Sequence, residues 1–281
     1  MPEGHTLFRL ARDLDQAFGG RPVRVSSPQG RFAAEAAELD GQVLVGAESA
    51  GKHVFCEFPG ERFIHIHLGL IGKFDIHPGP AVVPVGQVRL RFENETTYAD
   101  LRGATQCELI GGERMHQIVQ KLGPDPLRPD ADPGRAWQRI HRSDKPIGEL
   151  LMDQTVMAGI GNVYRAEVLF RHRMHPLRPG RTLRRSQFDA IWADLVDLLA
   201  EGVRTGRIDT VRTEHTPEAM GRPPRVDDHG GEVYVYRRTG QDCHVCGARV
   251  RTAELAGRNS FWCPRCQPVF RSRAVGKTSG Q

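Results

Sequence analysis

The chain has 281 residues, enough for one large domain or two ordinary ones with a real core. Hydrophobic residues make up 39% and charged residues 26%, the globular range, and no apolar run approaches the ~20 residues that a membrane span needs, which excludes an integral helical membrane protein. The net charge of +5 favours an anionic partner, nucleic acid first, although a basic enzyme without such a partner carries the same charge.

The N-terminus, MPEGHTLFRLARDLDQAF, has early acids and no apolar stretch of the signal-peptide kind, so the expectation is a soluble cytoplasmic protein, associated with the nucleoid if the partner is DNA. Leu7, Leu10, Ala11, Leu14 and Phe18 recur at three- and four-residue spacing and predict a helix over 3–19, ended by Gly19-Gly20. From 21 to 111 the pattern shortens to strands. Val43, Val45 and Ala47 alternate with polar or small residues; so do Phe63, Ile64, Ile66 and Leu68 in part, and Val88, Leu90 and Phe92. Pro and Gly punctuate this stretch, as in HPGPAVVPVG at 77–86. An antiparallel sandwich or barrel with one buried face per strand is expected.

Residues 123–134, GPDPLRPDADPG, hold four prolines and read as an interdomain linker. Helical periodicity follows over 135–142, 146–154, 162–171 and 186–203. Residues 206–232 are polar, Gly/Pro-rich and unpatterned, which predicts a long mobile loop. YVYRR at 234–238 reads as a strand, and RSRAVGKTSGQ at 271–281 as a disordered basic tail. The fold class is α+β.

Six cysteines are present, and four of them fall near the C-terminus. Cys243-His-Val-Cys246 is followed, sixteen residues on, by Cys263-Pro-Arg-Cys266. Two CxxC turns at this separation aim four thiolates at one point, the ligand set of tetrahedral zinc; two disulfides are the weaker alternative. The set leaves no open position for water, so one structural Zn2+ is expected rather than a catalytic one. His244 beside a ligand reads as solvent-facing. Arg258, in a Gly-Arg-Asn turn at the tip of an expected hairpin, can fork onto a phosphate, although an ordinary solvated arginine fits the same position. His65 and His67 alternate with Ile64 and Ile66. With no carboxylate at suitable spacing, they read as satisfied strand histidines rather than a second metal site.

MPEG at 1–4, the CxxC pairs, GRNSFWCPRCQ at 257–267 and LLMDQTVMAGIGNVYRAEVLFRHRMHP at 150–176 together resemble the formamidopyrimidine-DNA glycosylase and endonuclease VIII family, in order along nearly the whole chain. The third segment is similar to that family's helix–two-turns–helix motif. MPEGHT places the chain nearer the endonuclease VIII branch, which favours oxidised pyrimidines. The resemblance implies an N-terminal catalytic β-sandwich domain at 1–122, a linker at 123–134, a helix–two-turns–helix domain with a lesion loop at 135–232, and a zinc finger at 233–270. It also implies a function: a monomeric bifunctional base-excision enzyme that acts on damaged DNA through a flipped nucleotide.

The chemistry can be argued from the residues. Removal of Met1 leaves Pro2 with a secondary amine. An α-amino group titrates near 8, so much of it is neutral and nucleophilic at cellular pH. Attack at C1′ expels the base and gives an iminium that acidifies the 2′ hydrogens, so elimination of the 3′ phosphate follows; the resemblance implies loss of the 5′ phosphate too. The resemblance makes Glu3 the catalytic acid. Taken alone, Pro2-Glu3 is better read as a helix start; beside the CxxC pairs and the GIGN segment it is not. Many relatives carry Pro-Glu where this chain has His5-Thr6, so a second proton-handling glutamate is missing here, and its task either falls to His5 or is lost.

By the same resemblance Lys52, Asn162 and Arg258 clamp phosphates flanking the lesion, with Lys52 and Arg258 grouped among the catalytic residues. Gly159 and Gly161 allow close backbone approach before the helix that Asn162 opens. Arg165 leads a run, Arg171, Arg173, Arg178, Arg181, Arg184 and Arg185, that suits a duplex-facing surface, with a solvated basic face as the rival. Because C1′ is unreachable inside a stacked duplex, the nucleotide must flip out. Leu70, with Ile71, resembles the wedge that fills the gap, and core packing is its ordinary role. Arg102 faces the orphaned base in this reading. Two rivals stand beside the bifunctional enzyme: a non-catalytic zinc-finger protein that binds damaged DNA, and a lyase acting mainly on abasic sites.

Overall fold

The computed structural model describes residues 2–226 and 231–271. The chain divides into two compact units. The first comprises Met1–Ala131, Met157–Gly161 and Leu199–Arg207; the second comprises Asp132–Val156, Asn162–Leu198 and Ile208–Gln281.

The first unit opens with helix α1, Gly4–Phe18, whose Leu7, Leu10, Ala11, Leu14 and Phe18 are buried as the spacing predicts. Two four-stranded antiparallel sheets follow. One has the order β10-β6-β5-β4, from Gln106–Gly111, Arg62–His67, His53–Phe58 and Gly46–Ala50. The other has the order β2-β8-β9-β7, from Arg24–Ser26, Val88–Glu93, Thr97–Arg102 and Lys73–Pro78. A short pair joins β1, Arg21–Pro22, to β3, Val43–Leu44. One core unites α1 and both sheets: Leu7, Leu14 and Phe18 share it with Phe58, Ile64 and Ile66, and with Leu90, Phe92 and Leu101. Phe92 meets Phe18 and Phe58 edge-on at 5.8 and 6.2 Å, a favoured aromatic geometry. Cys56 and Cys107 are buried free thiols in this core.

Four details of the first unit depart from the sequence pattern. Val43 and Val45 are exposed while Leu44 is buried, because the chain changes partners at Val45, from β1 to β5. Two helices were not foreseen. Helix α2, Ala33–Leu39, is only seven residues long and too short to show a period. Helix α3, Gly112–Lys121, has a polar sequence with one fully buried residue, Gly112. The expected linker is no tether at its start, since residues 123–126 are buried and held in place.

The second unit contains α4, Pro133–His141, capped by the Asp132 side chain on Gly134 N–H. Helix α5, Ile147–Leu150, is shorter than the predicted 146–154, and turns replace its second half. Helices α6, Asn162–Arg171, and α7, Arg185–Thr205, lie where predicted, with residues 199–205 of α7 belonging to the first unit. Within 206–232 the described part is structured: a 3-10 turn at Thr213–His215, then α8, Pro217–Met220. A hairpin of β11, Arg251–Leu255, and β12, Arg258–Trp262, closes the unit. No helix among the described residues is long and apolar enough to cross a membrane. Of the predicted tail at 271–281, residues 272–281 lie outside the described residues.

The predicted strand at 234–238 does not form. The backbone N–H groups of Tyr234, Val235 and Tyr236 all donate to the buried Glu167 carboxylate, at 2.6, 2.9 and 2.9 Å. Thr210 Oγ1 donates to the same group at 2.6 Å. One carboxylate on α6 thus satisfies the donors that a neighbouring strand would have taken.

Candidate active site

In the first unit the site forms at the N-terminus of α1. Glu3 is the helix N-cap and is fully buried. Its backbone N–H donates to Thr6 Oγ1 at 3.4 Å in a capping box, the bond that a glutamate at the same helix position also makes. The Glu3 carboxylate points into the return segment 157–161, where Gly161 N–H donates to Oε2 at 2.8 Å. Gly4 N–H donates to Gly159 O at 2.8 Å, and a Cβ on Gly4 would lie 2.9 Å from Gly159 Cα. Backbone therefore packs on backbone here, as the spacing of Gly159 and Gly161 suggested.

Lys52 is half-buried in the two-residue turn between β4 and β5, after Gly51 with φ of 58°. Asp125, which the sequence reading missed, holds this turn. Its Oδ2 accepts from Gly51 N–H at 2.8 Å and its Oδ1 from Leu127 N–H at 2.9 Å. Burial raises the Asp125 carboxyl above its ordinary range against the pull of those two bonds. A Cβ on Gly159 would lie 3.5 Å from Asp125 Oδ1, so the Lys52 turn, Asp125, the return segment and the start of α1 are one contiguous arrangement. The only trace of Asp125 in the sequence is an acid in a proline-rich stretch.

His5 is buried, 3.2 Å from Thr6 Oγ1, and burial pushes its imidazole down to about 4. The strand histidines do have a carboxylate partner. His65 Nδ1 lies 2.9 Å from Glu108 Oε1 on β10, and His65 Nε2 lies 2.8 Å from His53 Nδ1. Glu108 comes from the neighbouring strand, where sequence spacing does not reveal it. Among the described residues these side chains form no metal-binding group.

Leu70 and Ile71 lie in the turn after β6, exposed by 51% and 81%. They are therefore not core residues. Arg102, at the end of β9, is engaged: it donates to buried Asp100 Oδ2 at 2.8 Å and to Val85 O at 3.2 Å. Arg91 makes a two-pronged pair with the same Asp100, at 2.6 and 2.8 Å.

In the second unit, Asn162 opens α6 and is buried, its Oδ1 accepting from Arg165. Arg165 is a correction to the expected DNA contact. It is 1% exposed and donates to Gly148 O at 3.3 Å and to Asn259 O at 2.8 Å, so it ties α5, α6 and β12 together. Much of the arginine run is likewise scaffold. Arg171 forks onto Asp194 at 2.7 and 2.6 Å, and Arg178 donates to Thr182 O at 2.6 Å. Arg181 and Arg185 pair with Asp144 and Asp189 at the surface. Arg173 and Arg184 remain exposed.

Arg258 is exposed at the first position of β12, after a two-residue turn with Ala256 and Gly257 at φ 50° and 71°. Two left-handed residues match the tight hairpin whose twist suits its strands. The Sγ atoms of Cys243, Cys246, Cys263 and Cys266 all lie within 4.8 Å of one another, with Cys243–Cys266 at 3.9 Å and Cys246–Cys263 at 3.4 Å. Ligands at ~2.3 Å from a tetrahedral zinc stand about 3.7 Å apart, so the set fits one Zn2+. Burial pushes the Cys243 thiol up to about 11, so a bound cation is what would hold it as thiolate. His244 is half-buried, its Nδ1 3.4 Å from Arg238, and is not solvent-facing. Gln267, unforeseen, is fully buried. It receives Cys263 N–H at 2.9 Å and donates to Met174 O at 2.8 Å, anchoring the knuckle to the segment after α6.

Three family models match the chain: the formamidopyrimidine-DNA glycosylase N-terminal domain at residues 1–107, its H2TH domain at 122–214, and the zinc finger found in FPG and IleRS at 240–269. Endonuclease 8 1 of Mycobacterium tuberculosis is 53% identical over 271 residues, covering 95% of this chain and 100% of the relative. Formamidopyrimidine-DNA glycosylase of Streptococcus pneumoniae is 33% identical over 236 residues, 82% of this chain and 83% of the relative. The fold is also that of Lactococcus lactis Fpg, solved in complex with abasic-site DNA: TM-score 0.77 at 24% identity, over 95% of this chain and 100% of that one. With these matches, the buried Glu3 and the four-cysteine knuckle, the chain belongs to the formamidopyrimidine-DNA glycosylase and endonuclease VIII family, whose members are DNA glycosylase/AP lyases of base-excision repair.

Proposed function

We propose that this glycosylase and lyase works through the amine of Pro2, freed by removal of Met1, on oxidised pyrimidines in DNA. The Pro2 nitrogen attacks C1′ of an everted nucleotide, the glycosidic bond breaks, and the base leaves with its electron pair and takes up a proton. Glu3 protonates the sugar ring oxygen, the ring opens, and a Pro2 iminium forms. Loss of a 2′ proton expels the 3′ phosphate; a second elimination expels the 5′ phosphate, and water releases the sugar remnant from Pro2.

The observation that carries this reading is the Glu3 carboxylate, buried one residue from Pro2 and oriented by Gly161 N–H at 2.8 Å. A helix cap alone does not require a buried acid fixed by a residue 158 positions away. Lys52, Asn162 and Arg258 are the proposed phosphate ligands. Exposed Leu70 and Ile71 are the proposed wedge. Arg102, already bound to Asp100, has at most a secondary part at the orphaned base. The zinc, held by Cys243, Cys246, Cys263 and Cys266, shapes the hairpin that presents Arg258. The partner is damaged DNA, bound by a monomer, and the site of action is the nucleoid.

Borohydride reduction tests the proposal. Mature protein incubated with a duplex carrying one oxidised pyrimidine should yield a covalent adduct, with the attachment point at residue 2 by mass spectrometry. Absence of an adduct from correctly processed protein that still binds the duplex supports the damaged-DNA binder. An adduct formed only on abasic duplex supports the lyase.

A further inference from the structure

A cavity of about 170 Å3 lies within the second unit, where the end of α6 meets the zinc knuckle. Phe170 and Tyr234 line it as a stacked pair, with ring centroids 4.5 Å apart, and Val245 of the knuckle adds apolar surface. Arg173, Arg212 and His215 bring the polar groups, and among the described residues no carboxylate lines the space. Drug-sized ligands fill ~300–1,000 Å3, so this cavity suits one small group rather than a whole nucleoside.

Its cationic groups are set in place and left open. Arg173 follows α6 with φ of 53°, in the left-handed region that favours glycine. The N–H groups of His172, Arg173 and Met174 donate to Val168 O, Phe170 O and Leu169 O at 3.0, 2.9 and 2.8 Å, so the last carbonyls of α6 are occupied and oppose an anion less. Among the described residues the guanidinium groups of Arg173 and Arg212 make no hydrogen bond or ion pair, and both residues are exposed. Arg171, on the same lining, is by contrast satisfied by Asp194 and Thr210 O. The Tyr234 hydroxyl accepts from Arg212 N–H at 2.9 Å and stands 3.0 Å from His215 Nδ1. The phenol has one proton to give, and giving it to Nδ1 leaves the histidine's own proton on Nε2. Glu214 Oε1 lies 3.9 Å from His215 Nδ1, but that side chain is 61% exposed and is not part of the lining.

We infer that this cavity binds a phosphate group, either free phosphate or the terminal phosphate of a DNA strand, on the forks of Arg173 and Arg212 with His215 Nε2–H as a third donor. A planar carboxylate is filled by one arginine fork, whereas a tetrahedral phosphate has oxygens for all three donors. The site is separate from the phosphates proposed to flank the lesion. Asn162 opens α6, and the cavity lies at the other end of that ten-residue helix, about 15 Å along its axis. Strand-end phosphates are what an AP lyase leaves behind, so either source reaches this protein in the course of its work.

Calorimetric titration of zinc-loaded, full-length protein with inorganic phosphate at constant ionic strength tests the assignment. Saturable binding at one site per chain is expected. Arg212→Ala and Arg173→Gly should each weaken it at least tenfold, and Arg173→Gly keeps the fold because glycine suits that φ, which its melting temperature checks. Arg258→Ala, at the hairpin, should leave the affinity within twofold. Two gapped duplexes, one with phosphates and one with hydroxyls at the gap, separate the sources. An affinity for the phosphate-ended duplex at least threefold higher, which Arg212→Ala removes, assigns the site to a strand end. No such preference, or one that Arg212→Ala keeps, assigns it to free phosphate. Absence of saturable phosphate binding, unchanged affinity in Arg173→Gly or Arg212→Ala, or loss of binding in Arg258→Ala overturns the inference.

Discussion

The Gly161 N–H donates to Glu3 Oε2 at 2.8 Å, and a Cβ built on Gly161 would sit 2.4 Å from the Glu3 carboxyl carbon. No side chain fits between the two. Gly161→Ala should displace the carboxylate while leaving Lys52 and Arg258, two of the three proposed phosphate ligands, in place. Positioned acids contribute typically 10²–10⁴-fold, so single-turnover excision should fall about a hundredfold or more. Affinity for an abasic-analogue duplex should change less than about threefold. Equal loss of binding and rate would mean that Gly161 serves the fold and not the acid.

Arg165 separates a strut from a DNA contact. Its buried guanidinium satisfies Gly148 O and Asn259 O, and each buried acceptor left unpaired costs ~1–3 kcal/mol. Arg165→Met should lower the melting temperature by several degrees and leave the salt dependence of DNA binding intact. A phosphate contact would instead reduce the slope of log K against log salt by about 0.9 with little loss of stability.

Zinc removal should act locally. Four thiolates drawn within 4.8 Å repel one another once the ion leaves, which loosens the knuckle beside the hairpin that carries Arg258. Chelation should release one zinc per chain and reduce duplex affinity at least tenfold. Hydrogen-exchange protection of α1, whose core lies in the first unit, should persist. Tight duplex binding by the metal-free protein would refute the structural role of the finger.

Acid should destabilise the protein before its carboxylates titrate. Burial holds His5 down to about 4 and His53 to about 3, the latter also through the charges of His65, His67 and Lys52. An unfolded histidine takes up its proton near 6.5. The stabilisation is therefore complete above pH 6.5 and is lost as pH falls from there toward 4 and 3, by at most about 1.4 kcal/mol per pH unit for each ring. Melting temperatures at pH 7.5 and 5 should differ by several degrees, and His53→Gln should narrow the gap. Identical curves at both pH values would contradict the assignment.

Local chemistry was legible in the sequence, and distant partners were not. Helix α1 showed itself because Leu7, Leu10, Leu14 and Phe18 keep one face, and the knuckle because two CxxC turns have one common use. Arg165 misled because its neighbours in sequence are arginines, whereas Asn259, which fixes its role, lies 94 residues on. The aromatic and β-branched run at 234–236 looked like a strand. Glu167, 67 to 69 residues earlier, takes its N–H groups instead, and Arg237 turns the chain with φ of 52°. Asp125 stayed hidden for the same reason, since its partner Gly51 lies 74 positions earlier.

The first unit is not continuous along the chain, because it takes back residues 157–161 after the second unit has begun. During translation the amino end emerges first, but the backbone group that seats its neighbouring carboxyl is made 158 residues later. A polypeptide stopped or clipped before that stretch carries the amine proposed to react without its seated acid. Synthesis of the middle of the protein is therefore what seats the carboxyl at its beginning, and prematurely terminated chains lack the backbone group that holds it.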